Sequence, residues 1–146
     1  MSAGGARAHA HDRTTRHRIL IVDDEESMRL FLARILGSAL KLEVNLAGTC
    51  EQALRLAGNY AYDAILLDLL MPGVGGFEVL REIRAGSPNV ATPVIIVSVL
   101  ADEATRERCM RAGANAYIVK PPERQALIAT VRAQIAGRGR PKARGR

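Results

Sequence analysis

Four apolar runs too short to be helices punctuate this chain, and each stops at a polar residue. Ile19-Leu20-Ile21-Val22 meets Asp23-Asp24, Ala64-Ile65-Leu66-Leu67 meets Asp68, Val94-Ile95-Ile96-Val97 meets Ser98, and Ala116-Tyr117-Ile118-Val119 meets Lys120. Apolar runs of this length, bounded by turn signals, are strands buried on both faces, the pattern of a parallel sheet sandwiched between helices.

The segments between the runs carry helical spacing. After the first run, Met28, Phe31, Leu32, Ile35 and Leu36 fall on one stripe, with Gly37 as the expected stop. A second strand is expected over Leu42–Leu46. Thr49 followed by Gln52 has the form of a capping box and starts the next helix. A third helix begins near Gly76, uses Phe77, Leu80 and Ile83, and ends before Gly86. A fourth runs from about Asp102 to Ala112, stopped by Gly113, with Cys109 and Met110 expected to pack on the sheet. A fifth runs from about Pro122 to Ala136, turning Leu127, Ile128 and Val131 inward. Five strand–helix repeats imply a parallel sheet covered on both sides through right-handed crossovers.

Charge separates body from tails. The chain of 146 residues carries +6. Residues 1–18 hold +3 and residues 137–146 hold +5, which leaves −2 for residues 19–136. Residues 1–17, with His9, His11 and His17, lack periodicity and are read as a disordered basic tail, as are residues 137–146. Histidines without a packed scaffold do not make a metal site. The domain is therefore expected over 18–136. Cys50 and Cys109 do not form a CxxC pair and are read as unpaired thiols in a reducing compartment. No run approaches the ~18 apolar residues of a membrane span. No apolar signal segment follows the first residues. A cytoplasmic protein without membrane contact is expected.

The strand ends carry the chemistry. In a parallel sheet they lie side by side at the carboxyl edge, where open α/β sheets bind ligands. Asp23, Asp24 and Asp68 would then meet there, and carboxylates so close repel unless a cation or proton holds them. An all-oxygen pocket suits a hard ion such as Mg²⁺. The acids can hold the metal and one can act as a nucleophile, while the Ser98 hydroxyl and the Lys120 ammonium can hold phosphoryl oxygens. Pro121 makes Lys120–Pro121 a candidate cis peptide bond.

These motifs, Ile21-Val22-Asp23-Asp24-Glu25, Asp68-Leu69-Leu70-Met71-Pro72 with Gly76, Ser98, and Lys120-Pro121, resemble those of the receiver domain of two-component response regulators. The resemblance covers about residues 18–136. It implies a flavodoxin-like, doubly wound α/β fold with five helices and strand order 2-1-3-4-5, an order for which a chemotaxis receiver is a known example. It implies phosphorylation of Asp68 by a sensor histidine kinase or a phosphotransfer protein. Asp24, Asp68 and the Leu70 backbone carbonyl would bind Mg²⁺ directly, and Asp23 through water. Ser98 and Lys120 would contact the phosphoryl group, and Tyr117 matches the switch aromatic. The implied output is a changed face of helix four, strand five and helix five, offered to a downstream protein that the resemblance does not identify or to a second copy on phosphorylation. No turnover of an external substrate is implied.

The pattern is departed from in places. Leu70 and Leu100 are apolar where the family often carries polar side chains that influence hydrolysis. Val99 replaces a usual Ala or Gly, and Pro122 a frequent Phe. Leu70, Val99 and Leu100 are thus the expected tuners of phosphate lifetime. With no output segment after helix five, a stand-alone receiver is expected. The alternative is a DNA-associated regulator, since Arg138-Gly139-Arg140-Pro141-Lys142 resembles an AT-hook core and arginines of that kind enter narrow A·T minor grooves. A general metal-dependent phosphohydrolase would share the acids but should carry a substrate-binding insertion.

Overall fold

The structure, a computed structural model, describes residues 16–137. Its elements are β1 (Arg18–Val22), α1 (Glu26–Leu40), β2 (Glu43–Ala47), α2 (Cys50–Asn59), β3 (Ala64–Leu67), α3 (Gly75–Gly86), β4 (Val94–Ser98), α4 (Glu103–Arg111), β5 (Ala116–Val119) and α5 (Arg124–Gly137). All five strands are parallel, in the order β2-β1-β3-β4-β5. The parallel, helix-covered sheet is the one expected from the apolar runs, and its five-stranded, five-helix flavodoxin-like order is the one the receiver resemblance implied. The tails beyond these residues, with His9, His11 and the AT-hook-like 138–142, lie outside the described residues.

Alternation along the strands divides the core in two. Leu20, Val22, Ile65, Leu67 and Ile96 point to one face, packing on Ala53, Ala57, Val79, Leu80, Ile83 and Cys109 of α2, α3 and α4. Ile19, Ile21, Leu66, Ile95 and Val97 point to the other, packing on Leu32, Ile35 and Leu36 of α1 and Leu127, Ile128 and Val131 of α5. Every residue of β3 and β4 is buried, so the central strands have no solvent-facing side. Truncating such a side chain to alanine costs about 2–5 kcal/mol.

Several local expectations are corrected. Gly37 does not stop α1. The helix continues to Leu40, and Lys41, with φ 55°, takes the left-handed cap instead. Non-glycine residues occupy this conformation only at some cost. Strand β2 starts one residue later than expected, because an edge strand with a single fully buried residue, Ala47, leaves little apolar signal to fix its bounds. Phe31 and Met110 are 41% and 40% exposed rather than packed on the sheet. Each sits at the margin of its helix's apolar stripe, whereas neighbouring Leu32 and Cys109 are buried. Helix α5 begins at Arg124, after Glu123, whose carboxylate accepts the Gln125 and Ala126 N–H groups. Thr49 does cap α2 through the Gln52 N–H, but the Gln52 side chain accepts from Gly48 N–H rather than from Thr49.

The amino edge of the sheet is tied by two polar side chains that no motif announced. Buried Asn89 accepts from Tyr62 N–H (2.7 Å) and the Thr92 hydroxyl (2.9 Å), and donates to the carbonyls of Ala57 (2.8 Å) and Tyr60 (2.7 Å). Arg84 of α3 donates to the carbonyls of Gly113, Asn89 and Val90 and to Asn115 Oδ1. Together they fasten the turns that enter β3, β4 and β5.

Candidate phosphoacceptor and metal site

At the opposite, carboxyl edge, the strand ends bring the predicted polar residues together. Parallel register aligns Val22 with Leu67, and Asp68 N–H donates to the Val22 carbonyl at 3.0 Å, which sets Asp23 beside Asp68. Lys120 N–H donates to the Ser98 carbonyl at 2.8 Å, so β4 and β5 end together as well. One carboxylate oxygen from each of Asp23, Asp24 and Asp68 lies within 4.8 Å of the others. Asp23 and Asp68 are buried and Asp24 is exposed, which leaves the cluster open to solvent on one side.

Lys120 crosses the pocket. Its Nζ donates to Asp23 Oδ2 at 2.7 Å and to Asp68 Oδ2 at 3.2 Å. Burial opposes the charge on Lys120, but the hydrogen bonds and attraction of the two acids outweigh it and raise its pKa. Burial raises the Asp68 carboxyl; Lys120 pulls it back, and Asp23 pushes it up again. Among the described residues, Lys120 is the cation touching these carboxylates. One ammonium against three acids leaves excess negative charge, which a divalent cation would neutralise. Three hard oxygens in a pocket open to water fit Mg²⁺, which keeps several waters and takes few protein ligands.

Backbone donors complete the frame. Asp23 Oδ1 accepts from Glu25 N–H (2.9 Å), and Asp68 Oδ1 from Leu70 N–H (3.3 Å). The helix α3 must pass close behind Asp68, and Gly76 permits it. A Cβ there would collide with the Asp68 carbonyl oxygen and lie 2.8 Å from Leu69 Cα. Gly76 N–H also donates to the Leu69 carbonyl at 3.0 Å.

Ser98 is buried, with its Oγ accepting from Leu100 N–H at 3.2 Å. The Tyr117 hydroxyl donates to the Leu100 carbonyl at 2.7 Å, and the Arg106 guanidinium lies 5.9 Å from its ring centre. Burial raises the Tyr117 pKa further above its already high ordinary value. The same loop thus touches both residues. Around the mouth, Leu70 and Val99 are 51% and 57% exposed, and Leu100 is half-buried. The Lys120–Pro121 peptide is cis.

Sequence reasoning overlooked Arg29. From α1 its Nη1 donates to the Asp23 carbonyl at 2.8 Å. The guanidinium lies in space vacated by Gly48, where a Cβ would stand 2.7 Å from Nη1. Its position five residues past Asp24, on the turn of α1 nearest the pocket, was the available signal.

Comparisons with known proteins agree with this geometry. A family model described as the response regulator receiver domain matches residues 19–132. The chain is similar to the transcriptional regulatory protein ResD of Bacillus subtilis, 38% identical over 127 residues that make up 85% of this chain and 50% of that protein. It is similar to the DNA-binding response regulator MtrA of Mycobacterium tuberculosis, 36% identical over 122 residues, 84% of this chain and 52% of MtrA. It therefore spans about half the length of these curated relatives. Among solved structures, the receiver domain of sensor histidine kinase PA1611 from Pseudomonas aeruginosa, which has a magnesium ion coordinated in its active site cleft, matches with a TM-score of 0.76 and 34% identity over 84% of this chain and 99% of that one. Chemotaxis protein CheY4 of Vibrio cholerae matches with a TM-score of 0.76 and 28% identity, over 82% and 98%.

Proposed function

The chain belongs to the response regulator receiver domain family, and on that premise we propose that residues 18–136 form a phosphorylation-controlled switch in which Asp68 is the phosphoacceptor. The observation that carries this reading is the meeting of Asp23, Asp24 and Asp68 with Lys120 at the carboxyl edge. Receiver domains take phosphoryl groups from histidine kinases. The donor here is a sensor histidine kinase or a phosphotransfer protein.

In the proposed step an Asp68 carboxylate oxygen forms the new O–P bond. The donor's N–P bond breaks, and its electron pair leaves on the imidazole nitrogen. Such transfers depend on positioning and charge neutralisation more than on covalent help from the protein. Asp23, Asp24, Asp68 and the Leu70 carbonyl would hold Mg²⁺, with Asp23 acting through water. Bound there, the ion would offset charge on the phosphoryl oxygens. Lys120, already facing Asp68, supplies a second positive group. The Ser98 hydroxyl moves to the new acceptor, and its loop carries Leu100 with it. That motion breaks the register of the Tyr117–Leu100 contact and lets Tyr117 turn inward, changing the face of α4, β5 and α5 that meets a downstream protein or a second copy. The protein assists its own phosphorylation and dephosphorylation and turns over no external substrate. The proposed site of action is the cytoplasm; among the described residues no helix is long and apolar enough to cross a membrane.

The test is to incubate the chain with acetyl phosphate and Mg²⁺ and map the acyl phosphate by mass spectrometry. Label on Asp68, lost in Asp68→Asn, is expected. Undiminished labelling of that variant would sink the reading. The DNA-associated alternative rests on the basic segment 138–146. It calls for salt-dependent binding to A·T-rich duplex, lost when that segment is removed.

A further inference from the structure

We propose that Arg29 is a positioning residue for the metal site, and that Gly48 exists in this chain to admit its guanidinium. The inference rests on the metal-site reading above and concerns how Asp24 is aimed.

Asp23 is held at four points. Its N–H donates to the Ala47 carbonyl, its Oδ1 accepts from Glu25 N–H, its Oδ2 accepts from Lys120, and its carbonyl accepts from Arg29. The last contact differs from the others. The Asp23 carbonyl belongs to the peptide that leads directly into Asp24, so fixing its direction fixes the plane from which the Asp24 side chain departs. Asp24 is the exposed member of the acidic cluster. Without an anchor on that peptide, an exposed acid samples several orientations, and a cation must order it on binding. Arg29 does this ordering beforehand, from α1, a helix rooted in the core by Leu32, Ile35 and Leu36.

The guanidinium keeps its place because of what lies beneath it. A Cβ on Gly48 would stand 2.7 Å from Arg29 Nη1 and 3.2 Å from Cζ. The Gly48 backbone is fixed in turn by its N–H, which donates to Gln52 Oε1 at 2.7 Å. Gly48 does not require a left-handed backbone. An alanine there would meet only the far end of a flexible side chain. The fold would survive, and Arg29 would be pushed from Asp23.

Two effects of Arg29 have opposite signs, which makes the claim testable. As a bare positive charge near the pocket, Arg29 repels a cation, and removing it would tighten Mg²⁺ binding. As the anchor of the Asp23–Asp24 peptide it favours binding, and removing it would weaken it. Loss of partners that orient metal ligands costs about ten- to a hundredfold in metal affinity.

The experiment is calorimetric titration of Mg²⁺ into the full chain and into Arg29→Gln, Arg29→Lys, Gly48→Ala, the Arg29→Gln/Gly48→Ala double variant and Asp24→Asn. Thermal midpoints are measured without Mg²⁺ in parallel. Arg29→Gln and Gly48→Ala should each weaken binding by about tenfold. The double variant should be no worse than either, since both remove the same contact. Arg29→Lys keeps the charge but loses the fork, and it should weaken binding too. Unchanged or tighter Mg²⁺ binding in Arg29→Gln overturns the proposal, as do additive losses in the double variant. A fall in midpoint without any change in affinity would mark Arg29 as merely structural and also overturn it. Asp24→Asn separates the layers. If it loses Mg²⁺ while Arg29→Gln does not, only this inference fails; if wild type does not bind Mg²⁺, or Asp24→Asn binds as wild type does, the metal-site reading fails with it.

Discussion

Lys120 Nζ stands 2.7 Å from Asp23 Oδ2 and 3.2 Å from Asp68 Oδ2, so a single ammonium ties the end of β5 to the ends of β1 and β3. The two acids it joins are buried. Backbone N–H groups of Glu25 and Leu70 reach their other oxygens, but among the described residues Lys120 is the cation in contact with both acids, and the pocket's response to mutation, pH and cations turns on it.

Replacing Asp68 with Asn should stabilise the protein at neutral pH without Mg²⁺. The Asp68 pKa is raised, with burial as the largest cause. An acid whose pKa rises on folding costs stability once pH exceeds its unfolded value, and the cost grows until pH passes the folded value. The Asn variant escapes that cost. Its advantage should shrink as pH falls through the raised pKa, where wild-type Asp68 is itself neutral. Urea unfolding at several pH values checks the sign; a variant less stable than wild type at neutral pH would contradict it.

Tyr117→Phe removes the hydroxyl that donates to the Leu100 carbonyl. A neutral hydrogen bond of this kind contributes about 1 kcal/mol, a few-fold in population. The ring should therefore turn inward more often in the unphosphorylated protein, shifting backbone amide signals of residues 98–100 and 116–119 toward their phosphorylated positions. Tyr117→Ala should leave Asp68 phosphorylation largely intact while weakening its effect on partner binding or dimerisation. Signals in Tyr117→Phe that stay at wild-type positions would place the switch elsewhere.

Leu70 and Leu100 should make the phosphorylated state long-lived. Neither can orient a hydrolytic water, and Leu70 is exposed at the mouth. A hundredfold slowing needs only about 2.7 kcal/mol of barrier. Phosphate loss is followed after donor removal in wild type and in Leu70→Asn/Leu100→Glu. Faster decay in the double variant is expected, and equal decay would remove these leucines as the cause.

Gly76→Ala should lower both stability and phosphorylation rate. The added carbon meets backbone, the Asp68 carbonyl and Leu69 Cα, which cannot swing aside. Overpacking of this kind costs about 1–3 kcal/mol, and the displaced loop carries Asp68. Full phosphorylation rate with an unchanged melting midpoint would show that α3 can retreat without consequence.

Asn89→Ala should destabilise the fold by about 2–4 kcal/mol while leaving Mg²⁺ affinity near wild type. The change strands the Tyr62 N–H and the Ala57 carbonyl in the interior and removes the donor to the half-buried Tyr60 carbonyl, at the opposite edge of the sheet from the acidic pocket. Denaturant unfolding and Mg²⁺ titration together test it; a large loss of affinity would show the two edges to be coupled.

What the chain declared in advance follows from how locally each feature is encoded. Ile19–Val22, Ala64–Leu67 and Val94–Val97 were legible because strands buried on both faces write themselves as unbroken apolar runs. The polar residue after each run then located the pocket. Thr49 was legible as a cap because its partner, the Gln52 N–H, lies only three residues on, whereas the Gln52 side chain turned to the Gly48 N–H, which the capping-box pattern did not announce. Gly37 misled because a glycine inside a helix and one that ends it look alike in sequence. Arg29, Arg84 and Asn89 stayed hidden because their partners are mostly main-chain carbonyls, which every residue carries. Arg84 reaches 29 residues ahead to Gly113 and Asn89 reaches 32 back to Ala57, and no spacing pattern marks such a contact. The Leu100 carbonyl under the Tyr117 hydroxyl escaped notice for the same reason.

The ties made by Asn89 and Arg84 give the sheet a clamped end and a working end. The turns entering β3, β4 and β5 are stapled to α2 and α3 through at least nine hydrogen bonds from two side chains, while the loops leaving those strands hold Leu70, Val99 and Leu100 at or near the surface. Like a cantilever, such a body bends where it is not gripped. On the proposed reading, a displacement begun at Asp68 would be steered outward along the loops toward α4 and α5, with the strands beneath as the fixed reference against which a loop shift becomes a signal.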